Sequence, residues 1–162
     1  MLKKLMHLSL AYCGFRGRIP NDVSNMSGLK FLDVSGDDGK NLLTVKVNGF
    51  WIPKFQLQHL DLRSCNMEGD FPLFISTQYA IKYLDLSNNK LNGYIPDWLW
   101  DISYYMEFLD LLMNLFDGFL PTKIVQYLRL LSLAKNNLHS GIPHSIYEGH
   151  LEVLDLSNNK IS

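Results

Sequence analysis

Five aspartates, Asp33, Asp61, Asp85, Asp110 and Asp155, recur along the chain, each held between two apolar residues. In extended backbone, successive side chains point to opposite faces, so the apolar neighbours go one way and the acids the other. If the segments lie side by side, the carboxylates form a column with steps of about 5 Å. Carboxylates do acid and base chemistry when their surroundings drive their pKa values apart, and equivalent acids in a row have no such asymmetry. The five histidines are scattered: His7 and His59 fall on the same face as the acids, and His139, His144 and His150 fall near turns. There is no G-x-S-x-G elbow, no H-E-x-x-H helix and no phosphate-binding glycine loop. Cys13 and Cys65 offer no zinc-like spacing. The expectation is therefore no catalytic residue, no metal and no cofactor. The acid column reads as structural and solvated, with attraction of a cationic ligand group as its functional alternative; Arg63, one column over, relieves part of the repulsion.

The elements that must position these residues repeat. Paired apolar positions occur at Leu8/Leu10, Leu32/Val34, Leu60/Leu62, Leu84/Leu86, Leu109/Leu111, Leu131/Leu133 and Leu154/Leu156, at intervals of 24, 28, 24, 25, 22 and 23 residues. Three residues beyond each pair stands a marker: Cys13, Asp37, Cys65, Asn89, Asn114, Asn136 and Asn159. Where successive coils of a solenoid turn against one another, backbone groups become buried and need partners, and an amide side chain donates and accepts at once. The marker ladder is expected to be structural. Two repeats separate Cys13 from Cys65, roughly 10 Å at strand spacing and beyond disulfide reach, so both are expected to be free, buried thiols.

Intervals of about 20–29 residues with this L-x-L-x-x-N wording are those of leucine-rich repeats, each contributing one short strand to the concave side of a horseshoe. The expected fold is an α/β repeat solenoid of about seven repeats, with a parallel concave sheet and an irregular or 3-10 convex side, running through residues 1–162 as one uncapped array. Five repeats carry a further G-x-I-P signature, around Gly17-x-Ile19-Pro20, Gly69-x-Phe71-Pro72, Gly93-x-Ile95-Pro96, Gly118-x-Leu120-Pro121 and Ser140-x-Ile142-Pro143. Glycine permits the bend and proline fixes φ, turning the chain toward the convex side. The second repeat lacks the signature: residues 35–56 form a long irregular segment, in which Leu43-Thr44-Val45-Lys46-Val47 alternates like a strand.

The G-x-I-P insert resembles the plant class of leucine-rich repeats. The succession Phe50-Trp51-Ile52-Pro53-Lys54-Phe55-Gln56-Leu57, Leu60-Asp61-Leu62-Arg63-Ser64-Cys65, Gln78 and Ile95-Pro96-Asp97-Trp98-Leu99-Trp100 is similar to plant receptor-like proteins. That resemblance implies part of a secreted ectodomain that binds a peptide, protein or glycan at the outer face of the plasma membrane. It also implies signalling in defence or development through a kinase-bearing co-receptor. Two other readings stand beside it: a soluble inhibitor of a secreted cell-wall-degrading enzyme, similar to polygalacturonase inhibitors, and a truncated receptor fragment without function. The basic and apolar start, Met1 to Ala11, keeps repeat phase and so reads as repeat and not as signal peptide, and no run of about 18 apolar residues suggests a membrane span.

Composition agrees with a binding module. The 162 residues are 47% apolar, and 15 basic against 16 acidic residues give a net charge of −1, which disfavours nucleic acid or an anionic bilayer as partner. Beside the acid column the concave face should carry His7, Phe31, His59, Tyr83, Phe108, Leu130 and Val153. Aromatics of that kind either stack across strands or serve an interface. The residues expected to meet a ligand are His59, Asp61, Arg63, Tyr83, Asp85, Phe108, Asp110 and Met113, with Leu112 and Met113 exposed as an apolar patch. Asn25-Met26-Ser27 is the N-glycosylation acceptor, on the side away from the strands.

Overall fold

Short leucine-centred triplets that recur once per repeat bury their leucines when each triplet lies beside its counterpart one repeat away. The structure, a computed structural model, describes residues 2–13, 16–18, 20–36, 42–44, 52–102, 104–122, 126–139, 141–144, 146 and 149–162. Seven strands form one parallel sheet in sequential order: β1 (His7–Ser9), β3 (Phe31–Asp33), β5 (His59–Asp61), β7 (Tyr83–Asp85), β9 (Phe108–Asp110), β11 (Leu130–Ser132) and β13 (Val153–Asp155). The register is uniform, with His7 opposite Phe31, Phe31 opposite His59, and so on through Leu130 opposite Val153. Behind the sheet the pairs of the inner coils, Leu32/Val34 to Leu131/Leu133, are buried together with Leu29, Leu57, Ile81, Met106 and Leu128, while Leu8, Leu10 and Leu156 in the end coils are partly buried. Leu154, in the last strand, is covered on one side only and stays partly exposed.

The far side is more regular than the sequence suggests. The segment that runs into each G-x-I-P signature is itself a strand: β6 (Glu68–Gly69), β8 (Lys90–Tyr94), β10 (Leu115–Gly118) and β12 (Asn137–Leu138) make a second parallel sheet, and β2 (Arg16–Arg18) pairs with β4 (Leu42–Thr44). β4 covers the start of the alternating run in the long second repeat; Val45, Lys46, Val47, Phe50, Trp51 and the marker position Asp37 lie outside the described residues. The prolines close this sheet, because no ladder donor follows. After them come 3-10 turns at Asn21–Asn25 and Leu73–Thr77, and one α-helical turn, α1 (Trp98–Ile102). Gly69, Gly93 and Gly118 take φ of +89°, +75° and +92°. At Gly118 the Tyr94 ring lies where a Cβ would be.

The marker ladder is the cement between coils. Asn89 Oδ1 accepts from the Cys65 and Met67 amides at 3.1 and 2.9 Å, while its Nδ2 donates to the Leu62 and Leu86 carbonyls, both at 2.9 Å. Asn114, Asn136 and Asn159 repeat the pattern, accepting from Leu91, Phe116 and Leu138 and donating to Leu86, Leu111 and Leu133. Cys65 is a free, buried thiol whose Sγ points at the Val34 carbonyl, and burial pushes it up to about 12. Cys13 corrects the expectation: it is free but exposed, because the first coil has a neighbour on one side only.

Candidate ligand-binding face

Parallel pairing in register places like on like, so the outward residue that opens each strand meets its equivalents at close range. His7, Phe31, His59, Tyr83 and Phe108 form a continuous stack of five rings, with centroid separations of 3.8, 4.1, 4.0 and 4.2 Å and interplanar angles of 10° or less. The rings cover one another's faces. What they offer outward is edges, which carry the positive side of the aromatic quadrupole, together with the His59 ring nitrogens and the Tyr83 hydroxyl. Burial under its neighbours holds His59 below the ordinary imidazole range, which favours the neutral ring. Leu130 and Val153 continue the column without rings.

The acid column sits one position further along each strand, and its chemistry is turned inward. Asp61 is 6% and Asp85 2% exposed. In every case one carboxylate oxygen accepts from the backbone N–H two residues on: Ser35, Arg63, Ser87, Leu112 and Ser157 for Asp33, Asp61, Asp85, Asp110 and Asp155, at 2.8–3.0 Å. The acids therefore close the turn that leaves the strand, as short acceptor side chains do. Burial pushes Asp61 up to about 6 and also raises Asp110. Arg63 stands at 3.7 Å from Asp61 and 3.8 Å from Asp85, and also donates to the Tyr12 hydroxyl at 2.9 Å. It is a half-exposed cation bridging three coils.

All eight expected ligand residues thus share one face across β5, β7 and β9, but they are not equally available. The ring edges of His59, Tyr83 and Phe108, the Arg63 guanidinium and Met113, which is 41% exposed, are open to solvent. The Asp61 and Asp85 carboxylates are spent on backbone and Arg63. Leu112 is half-buried, a correction to its expected exposure: its N–H is drawn to Asp110 and its carbonyl is taken by Asn88. Among the described residues no cluster of three or more His, Cys, Asp or Glu is arranged to hold a metal ion, and no helix is long and apolar enough to cross a membrane.

At the edge where strands enter the sheet, a cleft of about 290 Å³ is lined by Lys82, Tyr105, Glu107, Tyr127, Arg129, His150 and Glu152. Lys82 meets Glu107 at 3.3 Å, and Arg129 grips Glu152 with two N–H donors at 2.9 and 3.0 Å.

With that geometry in view, comparison with known proteins is direct. The family model described as Leucine Rich Repeat matches residues 4–26, 56–77, 80–102 and 150–162, half of the chain. The chain belongs to the leucine-rich repeat family. It is 31% identical over 140 residues to Receptor-like protein 9b of Arabidopsis thaliana, covering 85% of this chain and 15% of that protein. It is 39% identical over 130 residues to Receptor-like protein 7 of the same plant, covering 65% of this chain and 13% of that protein. The chain thus spans about 15% of the length of such curated relatives. Among solved structures, a TDR receptor superposes with a TM-score of 0.81 at 28% identity, covering 96% of this chain and 27% of that one. The Arabidopsis receptor kinase HAESA ectodomain, solved with an IDA peptide hormone ligand, gives 0.80 at 28% identity, covering 97% and 26%.

Two features of these leucine-rich repeats escape the sequence. The residue before six of the seven markers, Tyr12, Ser64, Asn88, Met113, Lys135 and Asn158, is left-handed, with φ between +54° and +56°. Its identity varies, so only Asn88 and Asn158 carry a signal that could have found it. The second is the cleft: Tyr105 and Tyr127 each stand three residues ahead of a strand, at Phe108 and Leu130, so repeat phase holds a signal for it.

Proposed function

We propose that this leucine-rich repeat segment is a recognition module from the extracellular part of a plant receptor-like protein, and that an extended peptide lies along the edges of the aromatic stack. One observation carries the reading: five rings packed face to face on the open side of the main sheet, with the Arg63 guanidinium on the same face, held by Asp61 and Asp85. Ring edges and a fixed cation accept carbonyl and carboxylate oxygens, which a peptide presents at every residue. The neighbours solved with peptide hormones and, for HAESA, with the co-receptor SERK1 support the same partner classes here, a peptide ligand and a leucine-rich repeat kinase co-receptor. On this reading residues 1–162 act as one array with a binding role and no catalytic one, at the outer face of the plasma membrane. Asn25, half-buried at the end of its 3-10 turn and away from the main sheet, carries a glycan.

The test is a random-peptide display selection on the immobilised chain, followed by titration of the enriched peptides against Tyr83→Ser and Arg63→Gln variants. Each substitution should weaken binding about tenfold, the equivalent of ~1.4 kcal/mol. Peptides that bind wild type and both variants equally well would place recognition elsewhere and sink the proposal.

A further inference from the structure

We propose that the cleft at the strand-entry edge, walled by Tyr105 and Tyr127 over the Lys82–Glu107 and Arg129–Glu152 pairs, binds a neutral oligosaccharide. The site is separate from the aromatic stack and does not rest on the peptide reading.

Its floor is rigid. Lys82, Glu107, Arg129 and Glu152 each immediately precede a strand, and the carbonyls of the first three each accept two backbone N–H groups from the next coil. The side chains that rise from this backbone are tied in pairs, at 3.3 Å for Lys82 with Glu107 and by a two-pronged fork for Arg129 with Glu152. Two cations and two anions cancel, so the floor has no net attraction for a phosphate, a polyanionic sugar or a basic peptide. It remains dense in donors and acceptors, since a guanidinium carries five N–H donors and a carboxylate about four acceptor sites, more than one partner consumes.

Its walls are aromatic faces. Tyr105 and Tyr127 are near parallel, at 19° with centroids 6.3 Å apart, and Tyr104 stands edge-on to both at 4.9 and 5.5 Å. Unlike the stacked column, these rings do not cover one another: Tyr104, Tyr105 and Tyr127 are 52%, 58% and 44% exposed. Three exposed phenols beside charge-compensated polar pairs match a pyranose ring, which shows a C–H face to an aromatic surface and hydroxyls around its rim. A peptide is the poorer fit, because the lining contains no aliphatic residue and so no socket for an apolar side chain.

The experiment is saturation-transfer NMR and calorimetry on the whole chain with neutral tetrasaccharides of glucose, xylose and N-acetylglucosamine. Tetragalacturonate serves as the anionic comparison and a neutral tetrapeptide as the peptide comparison. At least one neutral sugar should bind with a Kd of about 1 mM. The Tyr105→Ala/Tyr127→Ala double variant should weaken it about tenfold, Glu152→Gln several-fold, and Tyr83→Ser not at all. Because Glu152 is exposed at the edge, its variant keeps the test decisive if the double variant folds poorly. No binding by any neutral sugar, tighter binding of tetragalacturonate or the tetrapeptide, or sugar binding unchanged in both cleft variants would overturn the proposal.

Discussion

Replacing Asn89 by alanine should cost the chain a large part of its stability. The side chain is buried and satisfies two amides of the preceding coil, Cys65 and Met67, and two carbonyls, Leu62 and Leu86, all within 3.1 Å. Alanine leaves both amides without that acceptor at a buried position. At about 1–3 kcal/mol for each buried unsatisfied group, the loss is ~2–6 kcal/mol, with ~3–4 expected once the turn relaxes. Natural domains hold about 5–15 kcal/mol in all. With a urea slope of about 1–3 kcal/mol per molar, the midpoint should fall by roughly 2 M, read by far-ultraviolet circular dichroism. Asn92→Ala is the control, since Asn92 is exposed on β8 and should change stability by less than about 0.5 kcal/mol. Asn89→Asp separates acceptor from donor: it keeps the oxygen facing Cys65 and Met67 but turns a second one toward the Leu62, Leu86 and Ser87 carbonyls. Protonation of that oxygen restores a donor, so the aspartate variant should regain stability as pH falls. An alanine variant within about 1 kcal/mol of wild type, or an aspartate variant indifferent to pH, would refute the view that the ladder completes the coils.

Asp61 is expected to work against the fold at neutral pH. Its folded value of about 6 lies above the 3.8 of the unfolded chain, so folding takes up a proton between those values, and the stability this group contributes is present below pH 4 and lost as pH rises through 6. Asp61→Asn keeps the acceptor for the Arg63 amide and should raise stability at pH 7 by ~1–2 kcal/mol, less than the rise from 3.8 to about 6 would give alone because solvent and Arg63 screen the carboxylate, while flattening the slope between pH 4 and 6. Urea midpoints that respond to pH identically in both proteins would contradict this. Met113→Asn, at a φ of +56° that asparagine tolerates, should gain about 0.5–1 kcal/mol in the same melts, and a loss would count against strain at that turn. Gly118→Ala should cost ~1–2 kcal/mol, because the new Cβ meets Tyr94 and φ is +92°; thermal unfolding that matches wild type would show that the second sheet yields there.

The main sheet was legible because its signal is doubly periodic. Leucines at Leu84 and Leu86 alternate within a strand, and their equivalents return every 22 to 28 residues, so each repeat vouches for the next. The Asn ladder was legible for the same reason, and Asn89 makes the bonds its position implies. The second sheet was not, since strands of two to five residues such as Glu68–Gly69 are too short to show alternation before proline ends them. For the binding face the sequence supplied membership but not availability. It put Asp61 and Asp85 in the right column, yet only backbone geometry shows that their oxygens are taken by Arg63 and Ser87 amides. Likewise His59 and Tyr83 were placed side by side, while their face-to-face contact depends on χ angles that no spacing records. Cys13 was misjudged as buried because the marker pattern treats every coil as interior.

The stacked rings also bear on the curvature of the sheet beneath them. Neighbouring strands run about 4.8 Å apart in a hydrogen-bonded sheet, whereas the ring centroids above them are 3.8 to 4.2 Å apart. Bodies mounted on evenly spaced struts that draw closer together at their tips lie on the inside of a curve, so the aromatic column bends the sheet toward itself, as wedge-shaped stones close an arch. Beyond Phe108 the column passes to Leu130 and Val153, which have no flat faces to draw together, and from there the wedge is gone. Substituting a ring in the middle, at His59 or Tyr83, would therefore do more than remove a contact; it would let the arc open and change the path along which any long partner has to lie.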